Sequence, residues 1–265
     1  MDFNTLKTIE NEAERVSALY KIFNEDSRLN HSKAARVEFL TTVKFVEQYL
    51  RPNSKIIDIG AGAGEYSLYF AKQGYSVKAV ELAEENINAF KKKIPANANL
   101  DLQQGNACDL SAFADNSFDI VLLLGPLYHI SSPQEREKCI QEARRVCKND
   151  GTIFFAYISN DMVILTETFA YDLNYLKTGD YNHETFALVN FPFVFFTVAE
   201  ARNELVKYGV QLLKEIAVDG ISELLADKIN LLDDEGYEKY LNYHHYCCEK
   251  PEMLGRSNHL LFVGR

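Results

Sequence analysis

The sequence has little of what marks a secreted, metal-binding or membrane protein. Its five cysteines include no CxxC pair and no metal-ligand spacing, so we expect no metal site and a reduced, cytoplasmic protein. The most apolar stretch, residues 186–198, contains Asn190 and Pro192 and is shorter than the roughly 20 residues that a membrane-spanning helix needs. The first residues are polar and of mixed charge, which does not indicate a secretory signal.

Clustered positive charge is also scarce. The chain has 28 Lys and Arg against 38 Asp and Glu, which gives a net charge of −10. An acidic surface repels phosphate backbones, so we expect no nucleic-acid partner. The lack of a long apolar stretch predicts that there is no membrane partner either. The short basic run at residues 91–93 ends a predicted helix, where cations complement the helix dipole. The sequence leaves the oligomeric state open.

Periodic apolar residues divide the 265-residue chain into segments. Helical spacing covers residues 5–24 and 33–50, and from Lys55 short apolar runs alternate with amphipathic ones, as in parallel strands joined by helices. A turn is predicted at residues 149–151. The regularity lapses between 159 and 196, where an aromatic insertion is predicted. After it the sequence predicts a helix at 198–208, a strand at 210–220, mostly helix at 222–246 and a last strand at 259–265.

A glycine-rich turn follows the first predicted strand, with the sequence DIGAGAGE from Asp58 to Glu65. Glycines let a backbone bend sharply and approach a ligand, and the helix that follows offers free N–H groups. The dinucleotide fingerprint GxGxxG fails, because its sixth position counted from Gly60 is Glu65. Asp58 instead suits a ligand with positive charge. S-adenosylmethionine carries a sulfonium and an ammonium group and no phosphate.

Glu81 ends the second predicted strand. A carboxylate at this point can accept hydrogen bonds from both ribose hydroxyls of an adenosyl ligand. The same acid occurs in dehydrogenases, so Glu81 supports an adenosyl ligand without choosing between the two classes.

Six motifs between Lys55 and Ser159 resemble those of class I S-adenosylmethionine-dependent methyltransferases of the small-molecule type. They are DIGAGAG, VEL, QGNACDL, FDIVLLLGPLYHI, EARRV and NDGTIFFAYIS. The resemblance implies S-adenosylmethionine as cofactor and assigns roles to nine residues. Asp58, Gly60 and Gly62 would hold its methionine end, Glu81 the ribose, Leu82, Asn106 and Ala107 the adenine, and Leu124 and Gly125 would flank the methionine part near the reacting methyl.

The resemblance also implies the fold: an α/β, Rossmann-like sheet of seven mostly parallel strands with helices on both faces and an antiparallel last strand. N-terminal helices and an inserted cap would be added to it. We divide the chain into an N-terminal helical segment (1–53), a cofactor-binding α/β core (54–159), a cap insertion (160–197) and the C-terminal part of the core (198–265).

The candidate catalytic residues are Tyr128 and His129, which follow the fourth predicted strand. His129 is either a general base or a histidine hydrogen-bonded beside the pocket, and Tyr128 either shapes the pocket or packs. Methyl transfer from a sulfonium is an in-line displacement in which positioning does much of the work, so no strong catalytic dyad is required. Candidate acceptor-binding residues are Tyr20, Arg28 and His183, from the N-terminal segment and the insertion.

The sequence therefore predicts an enzyme that transfers a methyl group from S-adenosylmethionine to a small molecule. Three alternatives stay open at this point. They are a non-catalytic S-adenosylmethionine-binding module, a nicotinamide-dependent oxidoreductase, and a methyltransferase that acts on macromolecules.

Overall fold

The structure, a computed structural model, describes residues 3–23 and 25–265. The single helix expected over residues 5–24 is wrong, because the chain forms two: α1 (Phe3–Leu6) and α2 (Glu12–Leu19). The break occurs where the Asn11 side chain accepts a hydrogen bond from the Glu14 N–H at 3.1 Å and caps a new helix. Residue 24, in the same predicted helix, lies outside the described residues, as do residues 1 and 2 of the predicted N-terminal segment.

The next helix and the alternating core follow the sequence pattern. Helix α3 (Lys33–Glu47) ends one turn before the predicted boundary. The core then runs through β1 (Lys55–Ile59), α4 (Glu65–Lys72), β2 (Ser76–Glu81), α5 (Glu84–Lys91), β3 (Leu100–Gln104), β4 (Phe118–Leu123), α6 (Pro133–Val146) and β5 (Cys147–Ser159).

Strand β5 corrects the turn predicted at residues 149–151. The chain enters the strand at Cys147, directly after α6, and stays extended through these residues. Pairing with β4 explains this: Phe118 pairs with Cys147, and a register shift then brings Ile120 opposite Thr152. A bulge of this kind absorbs the extra residues that local turn propensity would have placed in a loop.

The inserted segment is irregular, as predicted, although it begins with an unexpected helix. Helix α7 (Asn160–Thr166) continues into a π-helical turn at Glu167–Tyr171, and a short strand β6 (Phe195–Phe196) pairs in parallel with the end of β5. The Asn160 side chain holds the segment in place, because its Oδ1 accepts from Leu188 N–H at 2.8 Å.

The C-terminal part returns to the sheet with α8 (Val198–Lys207), β7 (Leu212–Ala217), α9 (Ala226–Ile229), α10 (Asp234–Cys247), α11 (Pro251–Leu254) and β8 (His259–Gly264). The path of the sheet is β3-β2-β1-β4-β5-β8-β7, with β6 beside β5. Strand β8 is antiparallel to both neighbours, which confirms the predicted antiparallel last strand. The sheet has eight strands and not the seven predicted, because the short β6 pairs beside β5.

Alternate residues of the strands pack on opposite faces of the sheet. On β1, Ile57 and Ile59 join a cluster with α6 and α8, whereas Ile56 joins one with α3 and α4. Helices therefore cover both faces, and the carboxyl ends of β1, β2 and β4 are the edge left for a ligand. None of the helices in residues 3–23 and 25–265 combines the length and apolar character that a bilayer crossing requires.

Candidate active site

The glycine-rich turn presents bare backbone at the carboxyl end of β1. Gly60 and Gly62 have φ of +71° and +56°, in a backbone region that residues other than glycine rarely adopt. A Cβ on Gly60 would lie 2.7 Å from the ring of Pro126, in the segment after β4. Only glycine therefore permits this close approach of the two loops, which forms one wall of a ligand site.

Asp58 is a buried carboxylate beneath the turn, with 1% of its surface exposed. Its Oδ2 accepts a hydrogen bond from Ser67 Oγ at 2.7 Å. Burial raises the pKa of Asp58 to about 7, against the lowering effect of the Ser67 hydrogen bond. A carboxylate held this way is stabilised by a nearby cation, so the site fits the ammonium end of S-adenosylmethionine better than a phosphate.

Glu81 connects the end of β2 to the glycine turn. Its two carboxylate oxygens accept from the N–H groups of Gly62 and Ala83, each at 2.8 Å, and Oε1 also receives Asn86 Nδ2 at 3.3 Å. Burial raises the pKa of Glu81, although these hydrogen bonds oppose the shift. Glu81 thus fixes the shape of the turn. Binding of a ribose by Glu81 stays a prediction. Glu81 lines the cavity of about 350 Å³ described next.

Two adjoining spaces at this edge are lined by all nine residues predicted to hold the cofactor. A cavity of about 350 Å³ is lined by Gly60, Glu81, Leu82, Asn106, Ala107 and Gly125. A cleft of about 40 Å³ is lined by Asp58, Gly62 and Leu124, together with Gly60 and Gly125, which border both spaces. The arrangement fits an extended ligand whose two ends lie on either side of Gly60.

Asn106 differs in part from its predicted role at the adenine. Its Oδ1 accepts the N–H of Cys108 at 2.9 Å and so shapes the loop after β3. A carbonyl oxygen has a second lone pair, so the side chain can still accept from an amino group.

A larger cavity of about 730 Å³ lies beside the glycine turn. Its walls come from the N-terminal segment, the 126–128 turn, the insertion and the C-terminal part of the chain. Tyr20 borders this cavity, the 350 Å³ cavity and the cleft, and Tyr128 borders the large cavity and the cleft. These two tyrosines therefore stand where the large cavity meets the cleft at the glycine turn.

His129 is held by the N-terminal segment. Its Nε2 is 2.8 Å from the hydroxyl of Tyr20, and its Nδ1 is buried without a partner among the described residues. Burial, and then the charge of Arg28, lower the pKa of His129 to about 3. The ring is consequently neutral at neutral pH and takes up a proton poorly, which favours the structural interpretation of His129 over a general base.

Tyr128 lies in the short 3-10 turn that Pro126 begins. Its hydroxyl donates to the carbonyl of Leu124 at 2.9 Å, and burial raises its pKa. With its hydroxyl proton donated to the backbone at the end of β4, Tyr128 shapes the boundary between the large cavity and the cleft.

Arg28 lines the large cavity as part of an ion-pair network that the sequence did not reveal. Its guanidinium binds both carboxylate oxygens of Glu38 at 2.7 and 3.1 Å and that of Glu25 at 2.8 Å. His259 Nδ1 lies 2.7 Å from Asp219 and 3.5 Å from Glu38. Burial alone would lower the pKa of His259, but the two carboxylates raise it to about 9. The two carboxylates beside His259 are distant from it in sequence and so leave no local signal.

His183 is not brought to the site. It lies exposed on the insertion, stacked on Tyr181 at 4.6 Å, with Nε2 2.8 Å from the carbonyl of Thr178. It lines none of the cavities described above. The insertion instead contributes Glu167, Tyr171 and aromatic residues near its end.

Comparison with known proteins agrees with this geometry. Residues 57–155 match the family model of a methyltransferase domain. This segment therefore resembles a methyltransferase domain. It begins within β1 and ends within β5, so it includes the glycine turn, Glu81 and the 126–128 turn, and the cofactor of such domains is S-adenosylmethionine.

Two curated relatives carry named activities. The chain is 26% identical over 166 residues to a ubiquinone biosynthesis O-methyltransferase of Hydrogenovibrio crunogenus, covering 61% of this chain and 66% of the relative. It is 31% identical over 109 residues to a demethylmenaquinone methyltransferase of Renibacterium salmoninarum, covering 41% and 43%. The matches span about half the length of most of the curated relatives.

Among solved structures, a methyltransferase of Methanosarcina mazei described as S-adenosylmethionine-dependent superposes with a TM-score of 0.54. It is 20% identical, and the match covers 83% of this chain and 95% of that one. The likeness shows the shared fold, including the parts outside residues 57–155.

Proposed function

We propose that this protein transfers a methyl group from S-adenosylmethionine to a small-molecule acceptor. The observation that carries the proposal is the meeting of two spaces at Tyr20 and Tyr128. On one side lies the cleft at the glycine turn, which adjoins the cavity of about 350 Å³, and on the other lies a cavity of about 730 Å³ of the size that encloses a small organic ligand.

The nine predicted residues would hold the cofactor along the edge of the sheet. Asp58 and the turn would take the methionine end, Glu81 the ribose, and Leu82 with the loop after β3 the adenine. When bound, S-adenosylmethionine would supply a sulfonium methyl group, whose carbon the nucleophile of the acceptor attacks in line with S-adenosylhomocysteine as the leaving group. Leu124 and Gly125 are the predicted neighbours of that methyl, next to the tyrosine junction.

The chain's own contribution is positioning and exclusion of water. Tyr20 comes from the N-terminal segment and is hydrogen-bonded to His129, so this segment covers the junction. Glu12 also links the N-terminal segment to this region, because its carboxylate accepts hydrogen bonds from the N–H and the hydroxyl of Ser131. A neutral His129 suits this holding role. An acceptor whose nucleophilic atom is already unprotonated needs no base.

The relatives named as a ubiquinone biosynthesis O-methyltransferase and a demethylmenaquinone methyltransferase support a small-molecule acceptor. The net charge of −10 supports the absence of a nucleic-acid substrate. All five cysteines are free and buried, and we place the protein in the cytoplasm, where thiols stay reduced.

The test is transfer of radiolabelled methyl from S-adenosylmethionine to an extract of the cells that make the protein, with the product fractionated by size. We expect enzyme-dependent label in the small-molecule fraction. Label in protein or RNA would overturn the small-molecule acceptor, and no transfer alongside intact cofactor binding would favour a non-catalytic binding module.

A further inference from the structure

The large cavity has a wall that the cofactor residues do not explain. Glu167, in the π-helical turn of the insertion, and Glu223, between β7 and α9, both line this cavity. Neither borders the 350 Å³ cavity or the cleft. They therefore belong to the part of the cavity that the acceptor would occupy away from the methyl group.

The charges around this cavity do not cancel. Its lining includes five carboxylates, Glu25, Glu38, Glu167, Asp219 and Glu223, against the cations of Arg28 and His259. Both cations are paired with carboxylates of the ion-pair network: Arg28 with Glu25 and Glu38, and His259 chiefly with Asp219. The five carboxylates thus outnumber these two cations by three, and no cation of the described residues pairs with Glu167 or Glu223.

The contacts of the two acids leave room for a cation. Glu223 accepts hydrogen bonds from the hydroxyl of Tyr171 and from Asn258 Nδ2, each at 2.6 Å, and both donors are neutral. Glu167 makes no side-chain hydrogen bond or ion pair with the described residues. Burial, and then the charge of Glu223, raise the pKa of Glu167. A cation bound between them would lower the electrostatic energy of both carboxylates.

Aromatic rings complete this wall. Tyr171, Phe193 and Phe195 line the same cavity. The negative face of an aromatic ring attracts a cation, and rings combined with carboxylates are a setting that favours an ammonium group over a neutral or anionic one. Arg28 is less suited to bind an anionic acceptor, because its guanidinium already donates three hydrogen bonds to Glu25 and Glu38.

From this geometry we infer that the methyl acceptor is a small molecule that carries a protonated amine, whose ammonium group is bound by Glu167 and Glu223. Its reacting end extends to the junction at Tyr20 and Tyr128. The inference rests on the proposed function for the identity of the cavity, and it adds the charge class of the acceptor.

The charge of the methylated product tests the inference. Labelled cofactor is incubated with cell extract, and the enzyme-dependent labelled product is resolved from unreacted cofactor by ion exchange at neutral pH. We expect a product retained by a cation exchanger. A neutral or anionic product would overturn the inference while leaving the proposed function intact, whereas failure to bind S-adenosylhomocysteine would overturn the proposed function itself.

A variant pair tests the residues. In the double variant with Glu167→Gln and Glu223→Gln, the transfer rate at limiting extract should fall at least about tenfold. The loss of a hydrogen bond to a charged group weakens binding by about that factor or more. Affinity for S-adenosylhomocysteine should stay unchanged, which also shows that the variant is folded. Glu184→Gln is the matched control, because Glu184 is an exposed acid of the same insertion outside the cavity. Equal rates in the double variant and the control would overturn the assignment.

Discussion

Replacement of Gly60 by alanine tests the close contact between the glycine turn and the loop after β4. At φ +71° a new Cβ would lie 2.7 Å from the ring of Pro126. Gly74 offers a matched control, because its φ is +92° and a Cβ there would have no heavy atom within 4 Å. Both substitutions force alanine into left-handed backbone, but only Gly60→Ala also creates a steric clash.

The expected magnitudes follow from these two contributions. Left-handed backbone costs a residue with a side chain about 1–2 kcal/mol, which is the whole effect expected for Gly74→Ala. Overpacking against Pro126 adds about 1–3 kcal/mol, so Gly60→Ala should lower the free energy of unfolding by about 2–5 kcal/mol. Pro126 begins the turn that carries Tyr128, and its displacement should also deform the cofactor site.

Urea unfolding gives the two stabilities, and calorimetric titration with S-adenosylhomocysteine gives the affinities. Gly74→Ala should bind as tightly as the unaltered protein. Gly60→Ala should bind at least about tenfold more weakly, which corresponds to about 1.4 kcal/mol. The reasoning is refuted if the two variants lose equal stability and Gly60→Ala keeps full affinity.

Two further substitutions probe buried charge. Asp58→Asn keeps an acceptor for Ser67 Oγ but removes the buried carboxylate. Urea unfolding at pH 8 should therefore show unchanged or higher stability, whereas calorimetry should show an affinity for S-adenosylhomocysteine that is lowered about tenfold. Full affinity would contradict the role of Asp58. His259→Asn should remove a pH-dependent stabilisation. The pKa of His259 is about 9 in the folded protein against an ordinary 6.5, which stabilises the fold by about 3 kcal/mol below pH 6.5. This stabilisation is lost as the pH rises through 9. The difference in unfolding free energy between wild type and His259→Asn, measured in urea at about pH 6 and pH 10, should shrink accordingly. A difference that is independent of pH would contradict the pairing of His259 with Asp219 and Glu38.

The features that the sequence predicted well are those that local pattern determines. Short apolar runs identify β1, β2 and β4, because each of these strands has five or six residues and is largely buried. The cofactor residues are predicted for the same reason. Asp58, Glu81 and Asn106 each stand at or near the end of a strand, and parallel strands bring these ends to one edge.

Features that depend on tertiary pairing were missed. The turn expected at residues 149–151 is overridden by the bulged pairing of β5 with β4. The pair formed by Tyr20 and His129 joins residues 109 positions apart, and the carboxylates that line the large cavity come from separate elements. His183 was favoured by residue type alone, and residue type does not show which way a loop turns.

The central claim is that the glycine turn binds an adenosyl cofactor with positive charge and not a dinucleotide. Calorimetric titration of the purified protein with S-adenosylhomocysteine tests it most directly, with NADH titrated in parallel. We predict saturable binding of one S-adenosylhomocysteine per chain and no saturable heat with NADH. Absence of S-adenosylhomocysteine binding at high micromolar ligand, or tighter binding of NADH, would contradict it.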